Sequence, residues 1–123
     1  MCVELDLYQY LNLRAEKLPL GSEGAIVLEH WQGNRTPFVD SYSRGVIRSL
    51  SLKHTSIHVD RAIMEGVAYG TEVILRAMKK SNFEINEIIP CGGTTHSKLW
   101  LQIYADVTPD CPLRRLLLQR QQH

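Results

Sequence analysis

Residues 84–107 read EINEIIPCGGTTHSKLWLQIYADV and carry the clearest local signals of fold class in this chain. The apolar run within Glu84–Pro90 predicts a strand. Its predicted buried residues are Ile85, Ile88 and Ile89. Residues 91–95 predict a tight turn because they contain two adjacent glycines, and apolar residues at helical spacing predict a helix over Ser97–Val107. A strand, a turn and a helix in this order indicate an α/β layer fold.

The strongest helical pattern precedes that stretch. Over Ser56–Lys80, small and apolar residues recur at spacings of three and four. Thr55 is the predicted N-cap, with the side chain of His58 reaching back toward it. Gly66 and Gly70 fall on the apolar face of this helix, where each lowers helix propensity by roughly 1 kcal/mol relative to alanine. We therefore expect a neighbouring strand or helix to approach closely at the two glycines.

The N-terminal segments complete the order helix, strand, loop, helix, strand, helix. Val3–Lys17 carries a rough helical stripe, and Ala25–Leu28 is a short apolar run between turn residues that predicts a buried strand. Residues 31–45 show no period and are predicted to form a long ordered loop. Within this loop, Asp40 and Arg44 are candidates for a local ion pair without catalytic meaning.

The composition excludes several classes of protein. The 123 residues are 44% hydrophobic and 22% charged, as in globular domains, and their formal net charge of +1 provides no basic field for nucleic acid. No run approaches the ~20 apolar residues of a membrane helix, and the N-terminus lacks a signal-peptide pattern. Three cysteines without C-x-x-C spacing predict neither a disulfide framework nor a zinc site. We expect a cytoplasmic protein that binds neither nucleic acid nor membrane.

The glycine turn at residues 91–95 is the main candidate site. Glycines after a strand let a ligand approach the backbone, and the next helix offers free N–H groups. The pattern is neither G-x-G-x-x-G nor a P-loop, so spacing alone favours a plain connection over a nucleotide turn. Cys91 is predicted to be a small buried residue that ends the strand, with a reactive thiol as the alternative. His54 and His58 lack a third ligand, which favours capping and surface roles over metal binding.

Three linked motifs resemble the C-terminal domain of the FGGY carbohydrate kinases, in the ribulokinase-like branch of their pentulose kinases. Residues 30–37, HWQGNRTP, are similar to a Gly-Asn-Arg loop of that branch. Residues 45–65 fit the second family signature except at Ser49, where the family has glycine. Residues 91–107 resemble the adenosine motif, with Cys91 where members usually have a third glycine.

The resemblance runs from Leu5 to about Val107 and covers part of the C-terminal domain only. It implies an α/β fold, namely an incomplete ribonuclease H-like domain of the kind found in actin-like ATPases and sugar kinases. We assign residues 1–108 to this partial domain. Residues 109–123 resemble no part of the family and are predicted to be a divergent basic tail, which indicates a fragment or a short isoform.

The resemblance also implies an activity: ATP-dependent phosphorylation of a hydroxyl of a ketopentose such as ribulose, with Mg²⁺ accompanying ATP. Gly92 and Gly93 would pass the adenine and ribose with no side chain in the way. Ser97 matches the position whose polar side chain contacts the adenine. We assign no catalytic residue and no metal ligand, because the family's aspartate base, phosphate loop and sugar-binding domain precede the part represented here.

Three hypotheses follow for the chain itself. In the first, it is a piece of a pentulose kinase and supplies the adenosine-binding half-site, while the complete enzyme binds nucleotide and sugar. In the second, it is a non-catalytic interaction or regulatory partner, as a homo-oligomer or paired with the full-length kinase. In the third, it does not fold stably, because its two predicted strands leave open edges. Catalysis by this chain alone is not expected in any of them.

Overall fold

A computed structural model describes residues 6–113 of the chain. Within them lie three α-helices, α1 (Leu7–Ala15), α2 (Ser56–Lys80) and α3 (Lys98–Val107), and two strands, β1 (Ile26–Leu28) and β2 (Val46–Arg48). Short 3₁₀ turns at Ser22–Gly24 and Gly93–His96 precede β1 and α3. Helix α2 is the central element, because α1, α3 and β1 all pack against it.

Helix α2 begins and ends where the sequence predicts. Thr55 is its N-cap, and the Thr55 main-chain N–H donates to Nδ1 of His58 at 3.1 Å. The Thr55 side chain accepts from the main chain at His58, which completes a reciprocal capping box. Lys79 and Lys80 occupy the last turn, where positive charge suits the helix dipole. The predicted cap is therefore confirmed.

The two helix glycines lie where neighbouring residues come close, as expected. A Cβ atom built on Gly66 would lie 2.6 Å from the carbonyl oxygen of Val27 in β1. A Cβ on Gly70 would overlap the carboxylate of Glu29, one residue after the end of β1. The loss of helix propensity at these positions is thus matched by close packing of the strand on the helix.

The sheet is smaller than predicted and differs in its second strand. Strands β1 and β2 pair antiparallel, with Val27 opposite Ile47. The predicted strand at Glu84–Pro90 is wrong, because its backbone makes only an isolated bridge, with the N–H of Ile88 donating to the carbonyl of Pro112 at 3.1 Å. A strand needs a partner along its length, and residues 84–90 meet none within residues 6–113. Their isoleucines are half-buried or exposed rather than buried.

The core consists of two apolar clusters on opposite sides of α2. One lies among the three helices and contains Ala15, Met64, Ala68, Leu99 and Ile103. The other lies between β1 and α2 and contains Ala25, Val27 and Ala62. The sheet face away from α2 is uncovered, since Ile26, Leu28 and Val46 are each between 42% and 58% exposed.

A buried ion pair joins three elements around α2. Nε of Arg61 lies 3.0 Å from Oε1 of Glu65, and the Arg61 guanidinium also donates to the carbonyl of Ala15 at the end of α1. The Glu65 carboxylate accepts from the Gly21 N–H at 3.1 Å and from the Ser22 hydroxyl at 3.2 Å. Each charge therefore has several partners, which is the condition under which a buried pair is tolerated.

Two further predictions are corrected by the structure. Within the described residues, helix α1 ends at Ala15, before the predicted end at Lys17, and its first turn is exposed. Asp40 and Arg44 form no ion pair with each other: Asp40 accepts from main-chain N–H groups of its own loop, and Arg44 donates to main-chain carbonyls. The loop backbone thus provides the hydrogen-bond partners of both side chains. The predicted tail beyond residue 113 lies outside the described residues.

None of the helices within residues 6–113 combines the length and apolar character needed to span a bilayer.

Candidate nucleotide site

The glycine turn leaves its backbone open on one side. Gly92 has φ 80° and ψ −157°, a conformation in the left-handed half of backbone space that favours glycine. Cβ atoms built on Gly92 and Gly93 would meet no atom within 4 Å. The hydroxyl of Thr95 donates to the carbonyl of Gly92 at 2.7 Å and closes the turn from within. A flat ligand could therefore approach the backbone at both glycines.

Cys91 is exposed, so the prediction of a buried residue at this position is wrong. The cause is the same as for the missing strand. Without a paired strand at residues 84–90, nothing among the described residues covers the residue that follows it. His96, the last residue of the 3₁₀ turn, is exposed as well.

Ser97 is the N-cap of α3 rather than a residue of its first turn. Its Oγ accepts from the main-chain N–H of Trp100 at 3.2 Å. The same oxygen accepts from Nδ2 of Asn12, in α1, also at 3.2 Å. Ser97 is half-buried. The structure thus brings together the glycine turn and Ser97, as expected, and adds Asn12 to them.

The sequence pattern did not identify Asn12. The apparent stripe of α1 includes Leu7, Tyr10, Leu11 and Leu13, of which Leu11 is half-buried and the other three are exposed. The inner face of α1 instead carries the buried Ala15 and the half-buried Leu11 and Asn12. The sequence does place Asn12 three positions before Ala15, and residues at this spacing share a helix face. This spacing identifies Asn12 only when the inward side of α1 is known.

The histidines near the start of α2 form a structural cluster. Nε2 of His58 lies 2.9 Å from the Glu23 carboxylate, and Nε2 of His54 lies 3.1 Å from the Glu23 carbonyl oxygen. Nδ1 of His54 accepts from the main-chain N–H of Ser51. These contacts fit the predicted capping role. Within residues 6–113, no group of three or more His, Cys, Asp or Glu side chains is arranged to hold a metal ion.

Two buried polar atoms have no hydrogen-bond partner among the described residues: Oδ2 of Asp60 and Nε1 of Trp100. Burial raises the pKa of Asp60 above its ordinary value of 3.8, because the charged carboxylate loses solvation. Asp60 belongs to α2 and Trp100 to α3. Neither of these two atoms contacts the glycine turn through a hydrogen bond.

A separate cavity of about 410 Å³ lies near the C-terminal end of α2. Its walls include Arg76, Lys79, Phe83, Ile85 and Cys111. None of Gly92, Gly93 and Ser97 lines it. The predicted site is therefore an open surface beside α1 and α3 rather than this cavity.

Comparison with known proteins identifies the family. Residues 5–117 match the FGGY family of carbohydrate kinases, C-terminal domain, a range that extends into the predicted tail. The chain is 32% identical over 105 residues to the ribulokinase of Bacillus licheniformis, covering 85% of this chain and 19% of that protein. It is 33% identical over 99 residues to a xylulose kinase of Staphylococcus epidermidis, covering 80% of this chain and 20% of that protein.

Solved structures agree with the sequence comparison. The fold is similar to xylulose kinase from Rhodospirillum rubrum, with a TM-score of 0.73 and 28% identity over 80% of this chain and 20% of that one. It is also similar to ligand-bound xylulose kinase from Lactobacillus acidophilus, with a TM-score of 0.74 and 25% identity over 86% of this chain and 21% of that one. The chain thus spans about a fifth of the length of these relatives. This chain belongs to the FGGY family of carbohydrate kinases, because the model of that family's C-terminal domain matches residues 5–117.

Proposed function

We propose that this chain supplies the adenosine-binding half-site of an ATP-dependent kinase that phosphorylates a hydroxyl of a ketopentose such as ribulose. The observation that carries the proposal is the open backbone at Gly92 and Gly93, directly before the capped start of α3. Because no side chain obstructs either glycine, the face of a purine and its ribose can lie against them. Ser97 then presents a hydroxyl at the edge of that surface.

The expected cofactor, ATP with Mg²⁺, is compatible with these residues. The open glycine turn provides room for adenosine, and the described residues offer no cluster of ligands for a resident metal ion. The family resemblance implies that Mg²⁺ would accompany the phosphates of ATP. In a complete kinase the metal would neutralise charge on the transferring phosphate, whereas Gly92, Gly93 and Ser97 would bind and orient the nucleoside.

The proposed ketopentose substrate rests on the kind of relatives found, which include ribulokinases and xylulose kinases, and the choice of ribulose rests on the resemblance of residues 30–37. The fold we infer is an incomplete ribonuclease H-like domain of the actin-like type. We assign the chain no catalytic residue. Asp40 is bound within its own loop, and Asp60 lies in α2 with one oxygen buried, so neither is suited to deprotonate a sugar hydroxyl.

A second function, as a non-catalytic partner of a full-length kinase or of another copy, is favoured by one observation. Strands β1 and β2 expose Ile26, Leu28 and Val46 on one face of a two-stranded sheet. Exposed apolar residues grouped in this way are typical of surfaces that another polypeptide covers. Sedimentation velocity of the purified chain, alone and mixed with a full-length pentulose kinase, tests this function: a mass that stays that of the monomer in both samples would exclude it.

Nucleotide titration of the purified chain tests the first function. We expect ATP to shift the amide NMR signals of residues 92–100 and to leave those at the far end of α2 unchanged. Gly93→Ala should weaken binding and Gly93→Val should abolish it, because each adds volume on the open face. Both variants should melt as the parent does, since a Cβ at this position meets nothing within 4 Å. Unchanged ATP affinity in Gly93→Val would refute the site.

A kinase assay separates binding from catalysis. The purified chain, incubated with ribulose and Mg-ATP, should form no sugar phosphate above the background of buffer alone. Turnover by the chain would overturn our assignment of no catalytic residue.

A further inference from the structure

The hydroxyl of Ser97 has its acceptor positions filled by the protein. An oxygen of this type accepts through two lone pairs and donates one hydrogen. Here the Trp100 N–H and Nδ2 of Asn12 both approach Ser97 Oγ, each at 3.2 Å. With both lone pairs engaged, the Ser97 hydroxyl can only donate to a ligand.

The side-chain amide of Asn12 contributes the complementary group. Its nitrogen is directed to Ser97, and no residue within 6–113 donates to its oxygen Oδ1. Oδ1 and Nδ2 are bonded to the same carbon of Asn12, and Nδ2 lies 3.2 Å from the Ser97 oxygen, so the acceptor and the Ser97 hydroxyl belong to one small polar group. A ligand at the glycine turn that reaches this pair would meet a donor, the Ser97 hydroxyl, and an acceptor, Asn12 Oδ1.

We infer that Asn12 determines the base specificity of this site. The pair formed by Ser97 and Asn12 selects a purine edge on which a ring-nitrogen acceptor adjoins an amino donor, as N1 and the 6-amino group of adenine do. Asn12 acts in two ways: its Nδ2 keeps the Ser97 hydroxyl directed outward as a donor, and its Oδ1 accepts from the amino group. This inference rests on the proposed adenosine site and adds the reason for its preference among purines.

The test compares ATP with purine riboside triphosphate, which keeps N1 but lacks the 6-amino group. The parent chain should bind ATP roughly three- to tenfold more tightly, as expected for one hydrogen bond. Asn12→Ala should remove that preference, because the acceptor is gone. Asn12→Asp should weaken the binding of both nucleotides, because its carboxylate turns the Ser97 hydroxyl inward. The preference for the nucleotide with the 6-amino group should remain. A purely structural role for Asn12 would not change the ratio.

The outcomes distinguish this inference from the proposed function. Failure of the parent chain to bind either nucleotide would refute the adenosine site itself. Binding with an equal ratio in the parent and in Asn12→Ala would refute only the role of Asn12. Alanine is a good helix former, so α1 should remain intact in that variant, and a circular dichroism melt confirms this independently.

Discussion

Arg61 and Glu65 form a salt bridge of 3.0 Å inside the protein, with side chains only 6% and 3% exposed. Glu65 is the acidic residue that closes residues 45–65, the stretch that resembles the second family signature. The structure gives that position a physical role. Its carboxylate holds the turn before β1 and neutralises an arginine that reaches the end of α1.

Glu65→Leu should destabilise the fold by about 3–5 kcal/mol, because it leaves the Arg61 charge buried and uncompensated. Chemical denaturation monitored by circular dichroism measures this. The matched control is Glu72→Leu in the same helix, where the pair with Arg76 has the same spacing but its arginine is 73% exposed. That change should cost less than about 1 kcal/mol. Equal losses in the two variants would contradict the buried role of Glu65.

Gly66→Ala should destabilise the protein by about 1–3 kcal/mol, although alanine is the better helix former. The added methyl group would sit 2.6 Å from the main-chain oxygen of Val27, so β1 must move away from α2. Gly70→Ala is the control, because it meets only the flexible end of Glu29. It should be neutral or stabilising by up to about 1 kcal/mol. Thermal melts of both variants decide the comparison.

Asp60→Asn should stabilise the protein at neutral pH. The folded-state pKa of Asp60 is raised, so the folded chain binds this proton more tightly than the unfolded chain does, and the carboxylate destabilises the fold once it is charged. The advantage of the amide variant over the parent should therefore shrink as pH falls through the raised pKa toward 3.8. Denaturation at a series of pH values measures it. If the stability advantage of Asp60→Asn grew on acidification, the predicted pH dependence would be wrong.

Thr55→Ala should lower the free energy of unfolding by about 1 kcal/mol, because it removes the side-chain half of the capping box at the start of α2. Thr55→Ser retains a hydroxyl and should restore most of the loss. Amide hydrogen exchange in the first turn of α2 provides a local measurement. Exchange there should accelerate in the alanine variant and stay near the parent rate in the serine variant.

The sequence predicts best the elements that depend on local interactions. Helix α2 combines an amphipathic pattern with an N-cap, Thr55, whose partner His58 is three residues further along. Its limits, Ser56–Lys80, agree with the prediction. Its two glycines also predict the close approach of a neighbouring strand or helix, which is β1 in the structure. These signals are visible within a short window of sequence because a helix satisfies its hydrogen bonds internally.

The failures concern elements whose partners are distant in the chain. Residues 84–90 have the composition of a strand but no neighbouring strand among the described residues, whereas β2, with all three residues exposed, lacks any alternation to reveal it. Prediction of the candidate site likewise succeeds for local residues and fails for distant ones. Gly92, Gly93 and Ser97 fall within one motif, but the contact between Asn12 and Ser97 joins positions 85 apart.

The hydrogen bond from Arg61 to the Ala15 carbonyl has a consequence for how variants of this protein are interpreted. Ala15 lies less than one turn after Asn12, so the same guanidinium that neutralises Glu65 also anchors the end of α1 that carries Asn12. Loss of Glu65 should therefore loosen Asn12 and alter nucleotide preference from a distance. A mutational screen scored only by ligand affinity would count Glu65 as a contact residue, and parallel measurement of stability is what separates the anchor from the contact.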